Sequence, residues 1–216
     1  MKHNLQSLLL SGLTAATLFA SLSACAPLIV GGAVMSSLVA IDRRTTGIQL
    51  EDEGIELRTA QGLRQNLGDS AHVNVTSYNR MVLLTGEVGN AADRDRAEKM
   101  AQSQENVKSV VNDLVIEPVS SYTQRSKDII TTGQIRALLV DAKDLQSNAF
   151  KIVTERGVVY LMGRVTAREA QRATEIARSG SVSAVTKVVR VFETITDEEL
   201  KRISAQPLSP QAQPKS

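Results

Sequence analysis

The chain has no tryptophan, one cysteine, two histidines, three tyrosines and three phenylalanines. Aromatic side chains are favoured anchors at a membrane–water boundary, and the strongest of them is missing. A lone cysteine makes no intrachain disulfide and says nothing of redox state. His3 falls in an N-terminal leader. His72 has no Cys, His or paired carboxylate at ligand spacing, which predicts a solvated loop residue and no metal site. No G-x-G-x-x-G, Walker loop or G-x-S-x-G occurs, so a non-enzyme without cofactors is expected. Lys and Arg number 25 against 23 Asp and Glu. That balance gives no global field for nucleic acid, and any anion preference must come from a local patch. No apolar run of about 18 residues follows Cys25, so no later membrane-spanning helix is predicted.

What is present begins with that cysteine. Lys2, an apolar run from Leu8 to Leu22, and Leu22-Ser23-Ala24-Cys25 make a secretory leader ending in a bacterial lipobox. The expected product is cut before Cys25, with diacylglycerol on its thiol and an acyl group on its new amine. Each buried methylene contributes about 0.8 kcal/mol, so one chain binds marginally and two or more anchor stably. Residues 1–24 are thus assigned to the signal peptide and 25–47 to a lipidated tether.

After the tether the chain repeats itself. Val73 to Ser77, Tyr78-Asn79-Arg80 and Met81 to Val88 return as Phe150 to Thr154, Glu155-Arg156-Gly157 and Val158 to Val165. Alternating β-branched residues across a short polar turn predict a β-hairpin. Gly86 and Gly163 recur inside the second strand, marking a bulge or close backbone approach. A helix follows each hairpin, with stripes Ala92, Ala97, Met100, Ala101 and Ala170, Ala173, Ile176, Ala177. A last strand closes each copy, over 107–117 and 182–192. A helix also precedes each hairpin. Its inward stripe is predicted as Ile55, Thr59, Leu63, Leu67 in the first copy, and as Ile130, Gln134, Leu138, Ala142, Leu145 in the second. Glu51-Asp52-Glu53 is expected as a solvated first helical turn. The fold class is α+β: each copy is helix-strand-strand-helix-strand, a three-stranded sheet covered on one face by two helices. Two tandem domains are assigned to 48–117 and 126–193, with a linker at 118–125. A short helix and disordered tail are expected over 194–216. Copies of about 65–70 residues are near the lower limit for folding alone, so docking between them is expected.

The lipobox, Arg43-Arg44-Thr45-Thr46-Gly47 and the two hairpin units resemble the dual-BON-domain lipoproteins of Gram-negative bacteria. The likeness is most specific at Asn74-Val75-Thr76-Ser77-Tyr78, at Ile130-Thr131-Thr132, and from Val153 to Gly157 through Gly163 to Ala170. It implies a non-enzymatic outer-membrane lipoprotein facing the periplasm, supporting envelope integrity and binding anionic phospholipid, phosphatidylglycerol or cardiolipin, through its second BON domain. Roles in envelope stress and cell division belong to the same implication. Ala26 after the cysteine, rather than aspartate, implies outer-membrane sorting. The family has an aromatic residue where this chain has Ile129.

The second domain's first helix supplies its own case for lipid. Wound at 100° per residue, it presents Ile129, Gly133, Arg136, Val140 and Lys143 outward, with Leu139 at the edge. A helix face that met only water should be polar. Here apolar residues lie among cations, with Arg125 and Lys127 preceding them, as surface binding to anionic lipid requires. The first domain's equivalent face carries Arg58, Gln61, Arg64 and Gln65, with Leu57 its one apolar residue. The phospholipid-contact residues are therefore assigned as Ile129, Gly133, Arg136, Leu139, Val140 and Lys143. The alternative packs Ile129, Leu139 and Val140 against the first domain. A second functional reading is a membrane-tethered adaptor that docks on outer-membrane assembly or cell-wall remodelling machinery.

Overall fold

The structure is a computed structural model describing residues 42–68 and 71–205. The leader, the lipidation site Cys25 and the tail beyond residue 205 lie outside the described residues. The first domain comprises α1 (Thr46–Leu67), β1 (His72–Tyr78), β2 (Met81–Val88), α2 (Ala91–Gln102), β3 (Ser109–Asn112) and β4 (Val115–Ile116). The second comprises α3 (Tyr122–Asp141), a 3₁₀ turn (Ser147–Ala149), β5 (Phe150–Glu155), β6 (Val158–Val165), α4 (Ala167–Arg178) and β7 (Lys187–Thr194). A further helix, α5 (Asp197–Ala205), follows.

Each sheet is mixed. β1 pairs antiparallel with β2, and β5 with β6, while the strand after the crossover helix runs parallel to the central one. The third strand of the first sheet is divided, because the chain turns after Asn112 and points Leu114 into the core. Both hairpins use two-residue turns with left-handed backbone at both positions: φ is 51° and 66° at Asn79 and Arg80, and 52° and 76° at Arg156 and Gly157. That conformation matches the twist of the flanking strands. Gly86 and Gly163 are close approaches, as their recurrence predicted. A Cβ would lie 2.0 Å from the His72 carbonyl oxygen at Gly86, and 2.4 Å from that of Ala149 at Gly163.

Helix α1 buries Ile55, Thr59, Leu63 and Leu67 as predicted, but also Asp52. The expected solvated acidic turn is corrected here. The helix starts at Thr46, and Asp52 is 1% exposed. Its carboxylate accepts from the Asn79 and Arg80 N–H groups at 2.8 and 2.7 Å, from the Ser77 hydroxyl at 2.6 Å and from Arg44 at 2.7 Å. Asp128 repeats the device in the second domain, accepting from the N–H groups of Arg156 and Gly157, each at 2.9 Å. Backbone donors turned inward by a tight turn need such a partner. One buried aspartate from the preceding helix supplies it in each copy.

Helices α1 and α2 cover one face of the first sheet, with Val82, Leu84 and Val88 packed on Ile55, Leu63 and Ala97. Phe150, Val159, Leu161 and Val165 play that part beneath α3 and α4. The opposite faces meet each other. Tyr78 and Leu83 pack with Tyr160, Met162 and Val191, giving four layers in the order helices, sheet, sheet, helices. Successive strand residues point to opposite faces, which is how Leu83 serves one core while Val82 and Leu84 serve another. Polar groups frame this seam: Lys151 with Glu56 at 2.5 Å, Tyr160 with Asp113 at 2.7 Å, and Asn79 with Glu193. Arg43 and Arg44 divide their attachments. Arg43 forms a two-pronged pair with Glu169 on α4, at 2.7 and 2.8 Å. Arg44 pairs with Asp52 and lies 4.2 Å above the Tyr78 ring.

Candidate functional site

Helix α3 starts where the Ser121 hydroxyl accepts from the Gln124 N–H, and it ends at Asp141. Its buried residues are Asp128, Thr131, Ile135 and Leu139. This corrects the predicted phase. Leu139, assigned to lipid contact at the edge of the outer face, is 0% exposed and sits in the second domain's core. Of the predicted inward stripe, Leu138 and Leu145 pack at the core margin, whereas Ile130 is 61% exposed. The cause is physical. The inward face is anchored by Asp128, which must reach the hairpin turn, and by Thr131, whose hydroxyl donates to the Lys127 carbonyl at 2.9 Å. A stripe sought among apolar residues skips both.

The first copy carried the signal that fixes the phase. Asp52, Ile55, Thr59 and Leu63 have the same spacing as Asp128, Thr131, Ile135 and Leu139. Aligning the helices on their aspartates, rather than on hydropathy, places Leu139 inward and Ile130 outward.

The outer face that results is more apolar than predicted. Tyr122 is 86% exposed, Ile129 73% and Val140 56%. At 100° per residue Tyr122 and Val140 share one direction, with Ile129 and Gly133 within 20° of it, and the stripe runs about 27 Å. Tyr122 falls in the segment 118–125 that the sequence assigns to the linker, whereas the helix begins at it. It stands two turns before Ile129 and puts an exposed aromatic ring on the same line. A Cβ at Gly133 would meet nothing within 4 Å, so that glycine opens no approach to the first domain. Ile129 and Val140 are mostly exposed, against the alternative that packed them on the first domain, although Ile129 edges a cleft it shares with His72 and Asn74.

Cations flank the stripe. The Arg125 guanidinium lies 5.4 Å from the Tyr122 ring centroid. Lys127, Arg136 and Lys143 are exposed; Arg136 lies beside the stripe, Lys127 about 140° round the helix from it, and Lys143 beyond the helix end. Among the described residues none of these three is in an ion pair. On α1, Leu50 and Leu57 are 69% and 65% exposed, so that face carries one apolar residue more than predicted. Glu51 and Glu53 lie beside it, a poor match for an anionic surface.

The histidine expectation also changes. His72 is the first residue of β1, not a loop residue, and its Nδ1 lies 3.2 Å from Glu87 Oε2. Glu155 of the second domain approaches the same point. Burial raises the Glu87 carboxyl, but hydrogen bonds from Ser120, Arg156 and His72 outweigh it and hold the group below its ordinary range. Glu155 goes the other way: burial first, with repulsion from Glu87 and Asp128, raises it against the hydrogen bond from Asn74 and the attraction of His72.

The BON domain family matches residues 52–118 and 127–195. The chain is 36% identical to outer membrane lipoprotein DolP of Haemophilus influenzae over 184 residues, covering 84% of this chain and 93% of that protein. It is 31% identical to a 21 kDa hemolysin of Actinobacillus pleuropneumoniae, covering 72% of this chain and 80% of that one. Osmotically-inducible protein Y of Escherichia coli shares 30% identity, with 51% of this chain and 56% of its own length covered. Two family matches on two similarly built sheets, and a relative aligned across nearly its whole length, establish that the chain belongs to the BON-domain family, with two copies of the domain in tandem.

Proposed function

We propose that this is a non-catalytic lipoprotein of the outer membrane's periplasmic face, acylated at Cys25, whose α3 helix binds anionic phospholipid in support of envelope integrity. The name of the H. influenzae relative supports the compartment and the lipid anchor. No helix among the described residues is long and apolar enough to cross a membrane. The observation that carries the lipid reading is the exposed Tyr122–Ile129–Val140 line with Arg136 beside it and Lys143 just beyond the helix end, neither cation in an ion pair among the described residues. Apolar residues enter the acyl boundary while cations meet phosphate, each cation contributing about 1 kcal/mol near an anionic surface. The acyl anchor already holds the protein at a bilayer, so the second contact works at an effective concentration on the order of millimolar. Its task is then orientation and placement among phosphatidylglycerol or cardiolipin, not attachment.

Vesicle flotation of the chain beginning at Ala26, without the anchor, tests this. The expected result is flotation with phosphatidylglycerol vesicles that weakens with salt. Ile129→Glu together with Val140→Glu should abolish it without unfolding the protein, because both side chains are exposed. Leu57→Glu on α1 should leave it intact. Equal flotation on neutral vesicles, or a double variant that floats like the parent, would refute the lipid reading. No flotation by the parent would favour the adaptor.

A further inference from the structure

The register of the first hairpin sets His72 directly opposite Glu87. The second domain adds Glu155, the last residue of β5. Their donor atoms, an imidazole nitrogen and one carboxylate oxygen from each glutamate, all lie within 4.8 Å of one another. Glu87 is 0% exposed and Glu155 5%.

The charges around the cluster do not balance. Arg156 donates to Glu87 Oε1 at 3.2 Å, and it is shared with Glu117. Ser120 donates to Glu87 Oε2 at 3.3 Å. Asp128 faces the cluster too, but its oxygens are held by the hairpin turn. Glu155 has only the neutral Asn74 amide, at 2.5 Å, and among the described residues no ion pair reaches it. A buried carboxylate without a counter-charge is costly unless it is protonated or meets a cation. A cleft of about 340 Å³ opens on this point, with His72, Asn74, Arg125, Asp128, Ile129 and Glu155 in its wall. A small hydrated ion has a way in.

We infer that His72, Glu87 and Glu155 form a divalent-cation site of the zinc class that ties the two BON domains together. The imidazole nitrogen selects against calcium and magnesium, which take oxygen ligands, and suits zinc. Zinc bonds to His nitrogen and carboxylate oxygen run about 2.0–2.2 Å, which sets tetrahedral donors roughly 3.3–3.6 Å apart. The His72–Glu87 separation of 3.2 Å is already close to that, and a Glu155 oxygen lies within 4.8 Å of both. Water from the cleft completes the fourth position. Since two ligands come from the first domain and one from the second, the ion clamps the seam beside the α3 helix. This inference does not depend on lipid binding.

The test is zinc titration of the full chain, purified in detergent and stripped with chelator, with calorimetry and thermal melting as paired readouts. One zinc per chain is expected, with Kd on the order of 1 μM or tighter. At a hundredfold excess over Kd, Tm should rise by about 5–10 °C. His72→Asn and Glu155→Gln should each weaken zinc at least about tenfold and remove the rise in Tm. Glu155→Gln also separates the ligand role from a structural one. It removes a buried, uncompensated charge, so its metal-free Tm should equal or exceed the parent's while its zinc response is lost. Failure of the folded parent to bind zinc below about 100 μM would overturn the inference. So would parental affinity in both variants, which would assign the cluster to a closed hydrogen-bond network and the bound zinc to other groups.

Discussion

Asp52→Ala should destabilise the protein by about 3–5 kcal/mol, lowering Tm by on the order of 10 °C. No surface acid would do this. The substitution leaves the Asn79 and Arg80 N–H groups without an acceptor inside a turn that already holds left-handed backbone at both positions. It also removes one of the two acids that Arg44 pairs with, leaving Asp42. Burial pushes the Asp52 carboxyl up, yet bonds from Ser77, Arg80, Arg44 and Asn79 win and hold it below its ordinary value of 3.8. A group depressed in the folded state contributes stability in full above its unfolded pKa and loses it as pH falls through the folded one. The parent should therefore lose stability below about pH 4, and Asp52→Asn should lose less of its own over that range. Urea melts at neutral and acid pH check both statements. A neutral-pH Tm within about 2 °C of the parent for Asp52→Ala would show that the turn does not need this acceptor.

Arg43→Met should cost a similar amount, about 3–5 kcal/mol, because it leaves Glu169 buried with its charge unanswered. The two side chains are 3% and 5% exposed, and Arg43 also donates to the Arg164 carbonyl at 2.8 Å. Glu169 has a second duty. It closes the capping box of α4, accepting from the Thr166 N–H at 2.9 Å. Glutamine can fill that box as well as glutamate. In a Glu169→Gln background, then, Arg43→Met should cost only about 1–2 kcal/mol, the difference being the charge that no longer needs a partner. A double-mutant cycle by chemical denaturation measures that coupling, and additive losses would contradict the pairing. The position matters because Arg43 precedes the first helix but docks on the second domain. It fixes the end of the tether to the domain that carries the proposed lipid face.

How much of this was legible in the sequence depended on what a residue does rather than on where it lies. The hairpins declared themselves through β-branched alternation, repeated around Gly86 and Gly163, and the crossover helices through their alanines. The α1 stripe was found because Ile55, Leu63 and Leu67 are apolar. The phase of α3 was missed because half of its inward face is polar: Asp128, buried to accept from the N–H groups of the β5–β6 turn, and Thr131, whose hydroxyl bonds back to the Lys127 carbonyl of its own helix. Periodicity measures hydropathy, and a buried acid looks solvated to it. The error moved Leu139 to the surface and Ile130 to the core, yet the central observation, apolar residues outward among cations, became stronger once corrected. Tyr122 was lost with the helix start, which Ser121 caps seven residues ahead of Asp128. The His72 cluster was not visible in spacing because its partners stand opposite in a sheet and on another domain, where sequence distance carries no ligand pattern.

The most direct measurement of the central claim uses the missing tryptophan. Tyr122→Trp places a single tryptophan on the outer line of α3, at its most exposed apolar residue. Mixed with phosphatidylglycerol vesicles, its emission should shift to the blue and be quenched by brominated acyl chains, since tryptophan settles at the headgroup boundary when its helix does. Vesicles of neutral lipid alone should produce neither change. Emission that stays solvent-like on anionic vesicles to which the anchored protein is bound would contradict the account, because it would place this face of the second BON domain away from the membrane.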